Sequence, residues 1–264
     1  MTSLVLHKAD LLLAEAESLG PILALDTSTA RLVASVALNG RCVAQVQILS
    51  KSHAAQLPGA VKEALERAGV KLRELAGVAV GIGPGSFTGV RIGLSYAKGV
   101  AFAVRCPIAG VSSLDSLAVC ALDNDNVSIG TTVCPVIDAR RGEFYTAFYR
   151  FDQLGLSRDS DELVLNASAM ASRCYEKTTI LLIGEPSLAG LAGELCQANG
   201  GAKEVRWCDD LSSLGKALAA IGAARIKRGH NDPLHSLEPH YVREPQVRDA
   251  EKFRPAPIEE SKSK

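Results

Sequence analysis

From Pro21 onward, short apolar runs alternate with polar turns. Ile22 to Leu25 is one such run, closed by Asp26. After the polar Thr27-Ser28-Thr29, Leu32 to Leu38 is another, and both read as strands. Asn39-Gly40 is a two-residue hairpin signal, because both residue types tolerate the positive φ that such turns require. Arg41 to Leu49 then alternates, which predicts Cys42, Ala44, Val46 and Ile48 on one face and Gln45 and Gln47 on the other. Here the period changes. Leu57, Ala60, Val61, Ala64, Leu65 and Ala68 recur at three- and four-residue steps, predicting a helix stopped by Gly69. A strand over Gly77 to Val80, a glycine-rich turn and a helix from about Thr88 to Val104 follow. Pro107 to Ala109 is short and extended, and Ser112 or Ser113 caps a helix to about Ala121. The order is βββαβαβα.

That order returns. Val133 to Ile137 is a strand closed by Asp138, as the first was closed by Asp26, and Glu143 to Arg150 alternates after the turn Ala139 to Gly142. Glu162 to Leu165 is expected as a third strand and Ala167 to Glu176 as a helix. The stretch from Ile180 to Ser187 mirrors Val78 to Ser86. A helix over Ser187 to Asn199, a strand over Lys203 to Arg206 and a helix over Leu211 to Arg228 complete the second copy. The chain is therefore read as an α/β protein of two similar lobes flanking a cleft, residues 21–125 and 126–243. Residues 1–20 are expected to add a short peripheral amphipathic helix, and the proline- and charge-rich residues 244–264 a disordered tail.

Composition narrows the function classes. Apolar residues make up 47% and charged residues 22%, a globular balance. Acidic and basic residues number 29 each, so no net field draws the chain to nucleic acid or anionic membrane. Seven scattered cysteines without a CxxC pair read as buried small hydrophobes of a reducing compartment, and no apolar run is long enough to span a bilayer. A cytoplasmic protein is expected.

Candidate chemistry is sparse. His53 stands without a second histidine one helical turn on, where Leu57 is found, so paired metal ligands are missing there and His53 reads as a helix-start residue. His230, His235 and His240 fall in the irregular C-terminal stretch. The loop Gly81 to Ser86 lacks the lysine that a Walker loop needs directly after its last glycine. It is either a weak anion site at a helix N-terminus or a tight turn forced by packing.

Gly83-Pro84-Gly85-Ser86-Phe87-Thr88-Gly89-Val90-Arg91-Ile92-Gly93 carries a closer message, together with Leu25-Asp26-Thr27-Ser28, Gly110 to Leu114, Pro135 to Glu143 and the late Glu238-Pro239-His240-Tyr241-Val242-Arg243. These segments resemble the bacterial tRNA threonylcarbamoyladenosine biosynthesis family TsaB (YeaZ), and the duplicated plan is that of the actin-like ATPase (ASKHA) superfamily. The resemblance covers roughly Ile22 to Arg243. It implies a non-catalytic subunit in the threonylcarbamoylation of adenosine 37 in tRNAs reading ANN codons. Such a subunit pairs with a TsaD-type transferase that holds the metal, is joined by a TsaE-type ATPase, meets tRNA only indirectly and binds no nucleotide or metal of its own. The competing classes are an independent ATP-dependent kinase of the same superfamily and a metal-dependent peptidase.

Several residues carry these alternatives. Asp26 either holds metal-bound water or caps its own turn. Asp138, Arg140 and Arg141 sit on the second lobe's equivalent turn, where the guanidinium groups either reach a phosphate or carboxylate at a subunit junction or stay solvated, with an arginine paired to Glu143. Gly89, Gly93, Ala97 and Ala101 recur every four residues and form a stripe nearly free of side chains. That stripe either receives a partner's helix or packs on the chain's own sheet or first helix; the resemblance tips it toward the transferase interface, joined by Leu57, Val61 and Leu65 of the first helix, or a homodimer when the chain is alone.

Overall fold

The computed structural model describes residues 5–50, 52–123, 127–174, 179–198 and 204–243. The expected tail (244–264) lies outside them, as does part of the polar stretch between the lobes.

The first copy forms as its pattern predicts. Strands β1 (Ile22–Asp26), β2 (Arg31–Leu38) and β3 (Arg41–Leu49) make an antiparallel meander, with Asn39 (φ 51°) and Gly40 (φ 71°) in its hairpin. Strands β4 (Gly77–Gly81) and β5 (Ile108–Val111) add in parallel, giving the order β3-β2-β1-β4-β5. Helices α2 (His53–Ala68) and α3 (Phe87–Val104) cover one face, and α2 ends at Gly69 with φ 66°. One detail of β3 differs from the expected alternation. A bulge opposite Val36/Ala37 leaves Val43 unpaired and exposed, so Cys42 turns to the opposite core while Ala44, Val46 and Ile48 face α2.

The second copy keeps the plan with an insertion. Strands β6 (Thr132–Arg140), β7 (Glu143–Thr146), β10 (Leu163–Asn166), β11 (Thr179–Gly184) and β12 (Glu204–Cys208) repeat the spatial order as β10-β7-β6-β11-β12. Glu143 to Arg150 is not one strand: it breaks at Ala147-Phe148, two consecutive buried residues. The Phe148 amide donates to Ser160 Oγ (3.0 Å) and its carbonyl accepts from the Asp159 amide (2.7 Å). Beyond the break, β8 (Tyr149–Asp152) and β9 (Gly155–Arg158) form an extra hairpin on β6. Helices α5 (Ala167–Cys174) and α6 (Gly190–Ala198) cover the outer face.

The two halves exchange their last helices. Helix α4 (Ser113–Leu122) follows the first sheet but packs on β6 and β11, whereas α7 (Leu214–Lys227), which ends the second half, packs on β1, β2, β4 and β5. The layers run α2/α3, first sheet, α7/α4, second sheet, α5/α6, and one continuous core spans both sheets. A helix buried on all sides must be apolar all round and thin, which accounts for the alanines of α7; a Cβ on Gly222 would stand 2.2 Å from that of Ala79. This is the duplicated actin-like fold in two lobes.

The N-terminal segment is not peripheral. Leu6 exchanges two backbone hydrogen bonds with Leu156 of β9 (3.0 and 2.7 Å), and α1 (Ala9–Glu15) packs on α7, α4 and β3 with Ala9, Leu12 and Leu13 buried. Lys8 and Asp10, which interrupt its apolar run, lie at the helix start, and Asp10 pairs with Lys216 at 3.1 Å. Among the described residues no helix is long and apolar enough to cross a membrane.

Candidate functional site

The cleft between the lobes gathers the turns that follow β1 and β6, the glycine-rich loop after β4, and the segment 238–243. In the first turn, Asp26 is 6% exposed. Its Oδ1 accepts from the Ser28 amide (2.7 Å) and its Oδ2 from Ser113 Oγ (2.8 Å). Burial raises the carboxyl's pKa above its ordinary range, against the lowering effect of the hydrogen bonds from Ser28 and Ser113. Asp26 thus caps its own turn, and both of its oxygens are engaged by groups of the chain itself.

The glycine-rich loop packs directly on that turn. The Ser86 amide donates to Ser28 O (2.6 Å), and Gly85, at φ 156°, would place a Cβ 2.2 Å from the same oxygen. A Cβ on Gly81 would collide with the Asp26 carboxylate at 2.3 Å. The loop's glycines thus serve packing. His53, the first residue of α2, donates from Nε2 to Thr29 O (2.7 Å) and pins the far side of the turn.

The small-residue stripe continues the same contact. Thr27 Oγ1 donates to Gly89 O (2.7 Å), and a Cβ on Gly89 or Gly93 would lie 2.1 Å from Thr27 O or 2.4 Å from Thr27 Oγ1. Ala97 and Ala101 are fully buried, and Leu57, Val61 and Leu65 of α2 are buried against the sheet. The expectation that these seven residues receive a partner is corrected: Gly89 and Gly93 take the close approach of the chain's own β1–β2 turn, and the other five are buried in the core of the first sheet. The faces that α2 and α3 turn outward carry Gly59 and Lys62, and Arg91, Ser95, Gly99 and Phe102. Phe102 is 77% exposed, and Gly59 and Gly99 have nothing within 4 Å of an added Cβ.

The second turn differs from the first in burial. Asp138 caps it, accepting from the Arg140 amide (2.7 Å), but remains exposed, and its Oδ2 pairs with Arg140 Nη1 at 3.4 Å. Arg140 (φ 69°), Arg141 (φ 58°) and Gly142 (φ 73°) are all left-handed, so the turn projects both arginines outward. Glu143, which follows the turn, is held from the C-terminal segment. It pairs with Arg243, which also donates to Ala139 O (3.2 Å).

Arg243 ends a strap over the cleft. The His240 amide donates to Ile82 O (2.8 Å), and its Nε2 lies 3.0 Å from Glu162 of the second lobe. Burial alone would raise the Glu162 pKa, but hydrogen bonds with His240 and Ser112 and the charge of Arg158 hold it below the ordinary carboxylate range. The Glu162 hydrogen bond raises that of His240. Tyr241 stacks on Phe87 and accepts from Arg91 Nε (2.8 Å). A second cross-link lies deeper: Arg31, at the start of β2, bonds Glu185 after β11 through both carboxylate oxygens (3.0 and 2.8 Å). Sequence reasoning missed Arg31, Glu185 and Glu162. Only Glu185 had a signal, through the mirrored Ile-Gly-Glu-Pro and Ile-Gly-Pro segments. Among the described residues no group of three histidines, cysteines or carboxylates is arranged to hold a metal.

Comparison with known proteins agrees with this architecture. A family model described as TsaD, tRNA N6-adenosine threonylcarbamoyltransferase, matches residues 45–246. The tRNA threonylcarbamoyladenosine biosynthesis protein TsaB of Escherichia coli is 36% identical over 156 residues, covering 59% of this chain and 66% of that one. Its Bacillus subtilis namesake is 36% identical over 131 residues, covering 49% and 55%. The chain thus spans between 55% and 66% of the length of these two relatives. Among solved structures, a Pseudomonas aeruginosa protein described as similar to peptidase YEAZ matches at 26% identity with a TM-score of 0.65, covering 85% of this chain and 100% of that one. On the family model, the named relatives and the shared fold, the chain belongs to the TsaB/YeaZ family.

Proposed function

We propose that this protein takes part in forming N6-threonylcarbamoyladenosine at adenosine 37 of tRNAs reading ANN codons, as a cytoplasmic subunit that performs no transfer itself. It pairs with a TsaD-type transferase and supports a TsaE-type ATPase, and nucleotide and metal reside on those partners. The names of its relatives support the pathway. The non-catalytic role rests on one observation: the first-lobe turn, where an actin-like ATPase presents its phosphate contacts, is filled by the chain's own Asp26, Ser28 and Gly85. The pairing surface is the outward face of α2 and α3, with Phe102 at its centre. The same face would support self-association when the transferase is absent.

Size-exclusion chromatography with light scattering tests this, using the chain mixed with the TsaD-type protein of the same organism. Wild type is expected to form a heterodimer that Phe102→Asp loses while remaining folded. No association under any nucleotide condition would overturn the proposal. So would calorimetric binding of ATP by the isolated chain, in favour of an independent ATPase.

A further inference from the structure

The trio Phe87, Arg91 and Tyr241 lies at the N-terminal end of α3's outer face. Phe87 is 40% exposed although it opens a helix whose inner face is fully packed. The Arg91 guanidinium stands 3.8 Å above the Phe87 ring and 5.9 Å from that of Tyr241, and the two rings stack at 5.1 Å and 27°. Its Nε is directed by the Tyr241 hydroxyl at 2.8 Å. A long side chain ordinarily loses several rotamers on binding; here the stem is held beforehand, so that loss is already met by folding.

What the arginine is held for is open. Neither terminal nitrogen of Arg91 has an acceptor among the described residues, and no carboxylate there pairs with it. Its neighbours differ in this. Arg140 is answered by Asp138, Arg243 by Glu143, Arg158 by Asp115 and Glu162, and on α2 Lys62 by Glu66 and Arg67 by Glu63. The Nη1/Nη2 edge of a guanidinium is a planar two-donor fork that fits a carboxylate or phosphate. The chain is neutral overall, with 29 charges of each sign, and Lys62 and Arg67 on α2 are matched by Glu66 and Glu63, so no net charge of the molecule gathers a polyanion here. A protein carboxylate suits a single oriented arginine beside exposed aromatics, the composition of an interface anchor.

We infer that Arg91, stacked on Phe87 and directed by Tyr241, is the anchor for a carboxylate of a protein partner seated on the outer face of α3. The C-terminal strap then takes part in recognition as well as closing the cleft, because Tyr241 belongs to it. With the TsaD-type transferase as that partner, the inference rests on the function proposed above.

Titration calorimetry of the full chain against the same organism's TsaD-type protein separates the two. Arg91→Glu is expected to weaken binding by about 30-fold or more, through loss of the pair and repulsion of the partner's carboxylate. Arg91→Lys, which keeps the charge but not the fork, should weaken it about three- to tenfold. Tyr241→Phe should also reduce affinity, with circular dichroism unchanged in all three. If Phe102→Asp abolishes binding while Arg91→Glu leaves the Kd within about twofold, this inference fails and the proposed function stands. If wild type does not bind, both fail. If Arg91→Glu instead lowers tRNA binding by the isolated chain and spares the protein complex, the anchor serves RNA and the inference is overturned.

Discussion

Both carboxylate oxygens of Asp26 accept hydrogen bonds from the chain's own Ser28 and Ser113. Because its folded pKa is raised, its contribution to stability is full below the ordinary value of 3.8 and is lost as pH rises through the folded value. A neutral amide offers the same acceptor to Ser28 without that loss. Asp26→Asn is therefore expected to stay within about 1 kcal/mol of wild type in urea unfolding at pH 7. Asp26→Ala leaves two buried donors unanswered and should cost about 2–4 kcal/mol. Equal losses in both variants would mean that the charge itself is needed and would reinstate a cation at this turn. The sequence left the two roles of Asp26 open for a physical reason. An Asp closing a strand before a polar turn looks the same whether its oxygens face a metal or a backbone amide, and the deciding donor, Ser113, is 87 residues away in sequence.

At the scale of elements, α3 shows why a small-residue pattern is legible while its direction is not. The four-residue recurrence of Gly89, Gly93, Ala97 and Ala101 reports a close approach: Thr27 meets the two glycines, and the core of the first sheet takes the two alanines. Gly99 lies on the opposite face of the same helix, open to solvent. Two alanine substitutions should consequently act in opposite directions on the isolated chain, although the gain in helix propensity is about 1 kcal/mol for each. Gly99→Ala is expected to stabilise by about 0.5–1 kcal/mol, whereas Gly89→Ala should destabilise by about 1–3 kcal/mol as its Cβ displaces the β1–β2 turn. Thermal unfolding of the two variants checks this, and a stabilising Gly89→Ala would return the stripe to an exposed role. The second copy was less legible than the first because its alternation is interrupted. Ala147 and Phe148 both point inward, and the β8–β9 hairpin they introduce has no counterpart in the first lobe to announce it.

The duplication itself was readable, because two strands ending in aspartate recur in order and the Ile-Gly-Pro turn of the first copy is mirrored by Ile-Gly-Glu-Pro in the second. The exchange of α4 and α7 between the sheets was not, since periodicity reports that a helix is buried without naming the sheet that buries it. The same exchange explains why residues 5–16 matter to the whole molecule. Helix α7 lies between the two sheets, and α1 closes the corner it shares with α4 and β3, while Leu6 extends the β8–β9 hairpin of the other lobe. Leu6, Leu12 and Leu13 are each at most 3% exposed, and burying such a side chain stabilises by about 1.5–3 kcal/mol. Three of them sum to the same order as the 5–15 kcal/mol that typically separates folded from unfolded domains. A chain lacking residues 1–16 is therefore expected to lose most of its cooperative unfolding transition and to bind hydrophobic dye, and Leu12→Ala alone should cost about 2–5 kcal/mol. The ion pairs Asp10–Lys216 and Glu15–Arg228 cannot supply that effect, because exposed pairs contribute about 0–1 kcal/mol. Asp10→Ala should accordingly leave the unfolding midpoint nearly unchanged. An unaltered midpoint in the truncated chain would reduce α1 to an appendage; a collapse reproduced by Leu12→Ala and absent in Asp10→Ala would make it a structural member of both lobes.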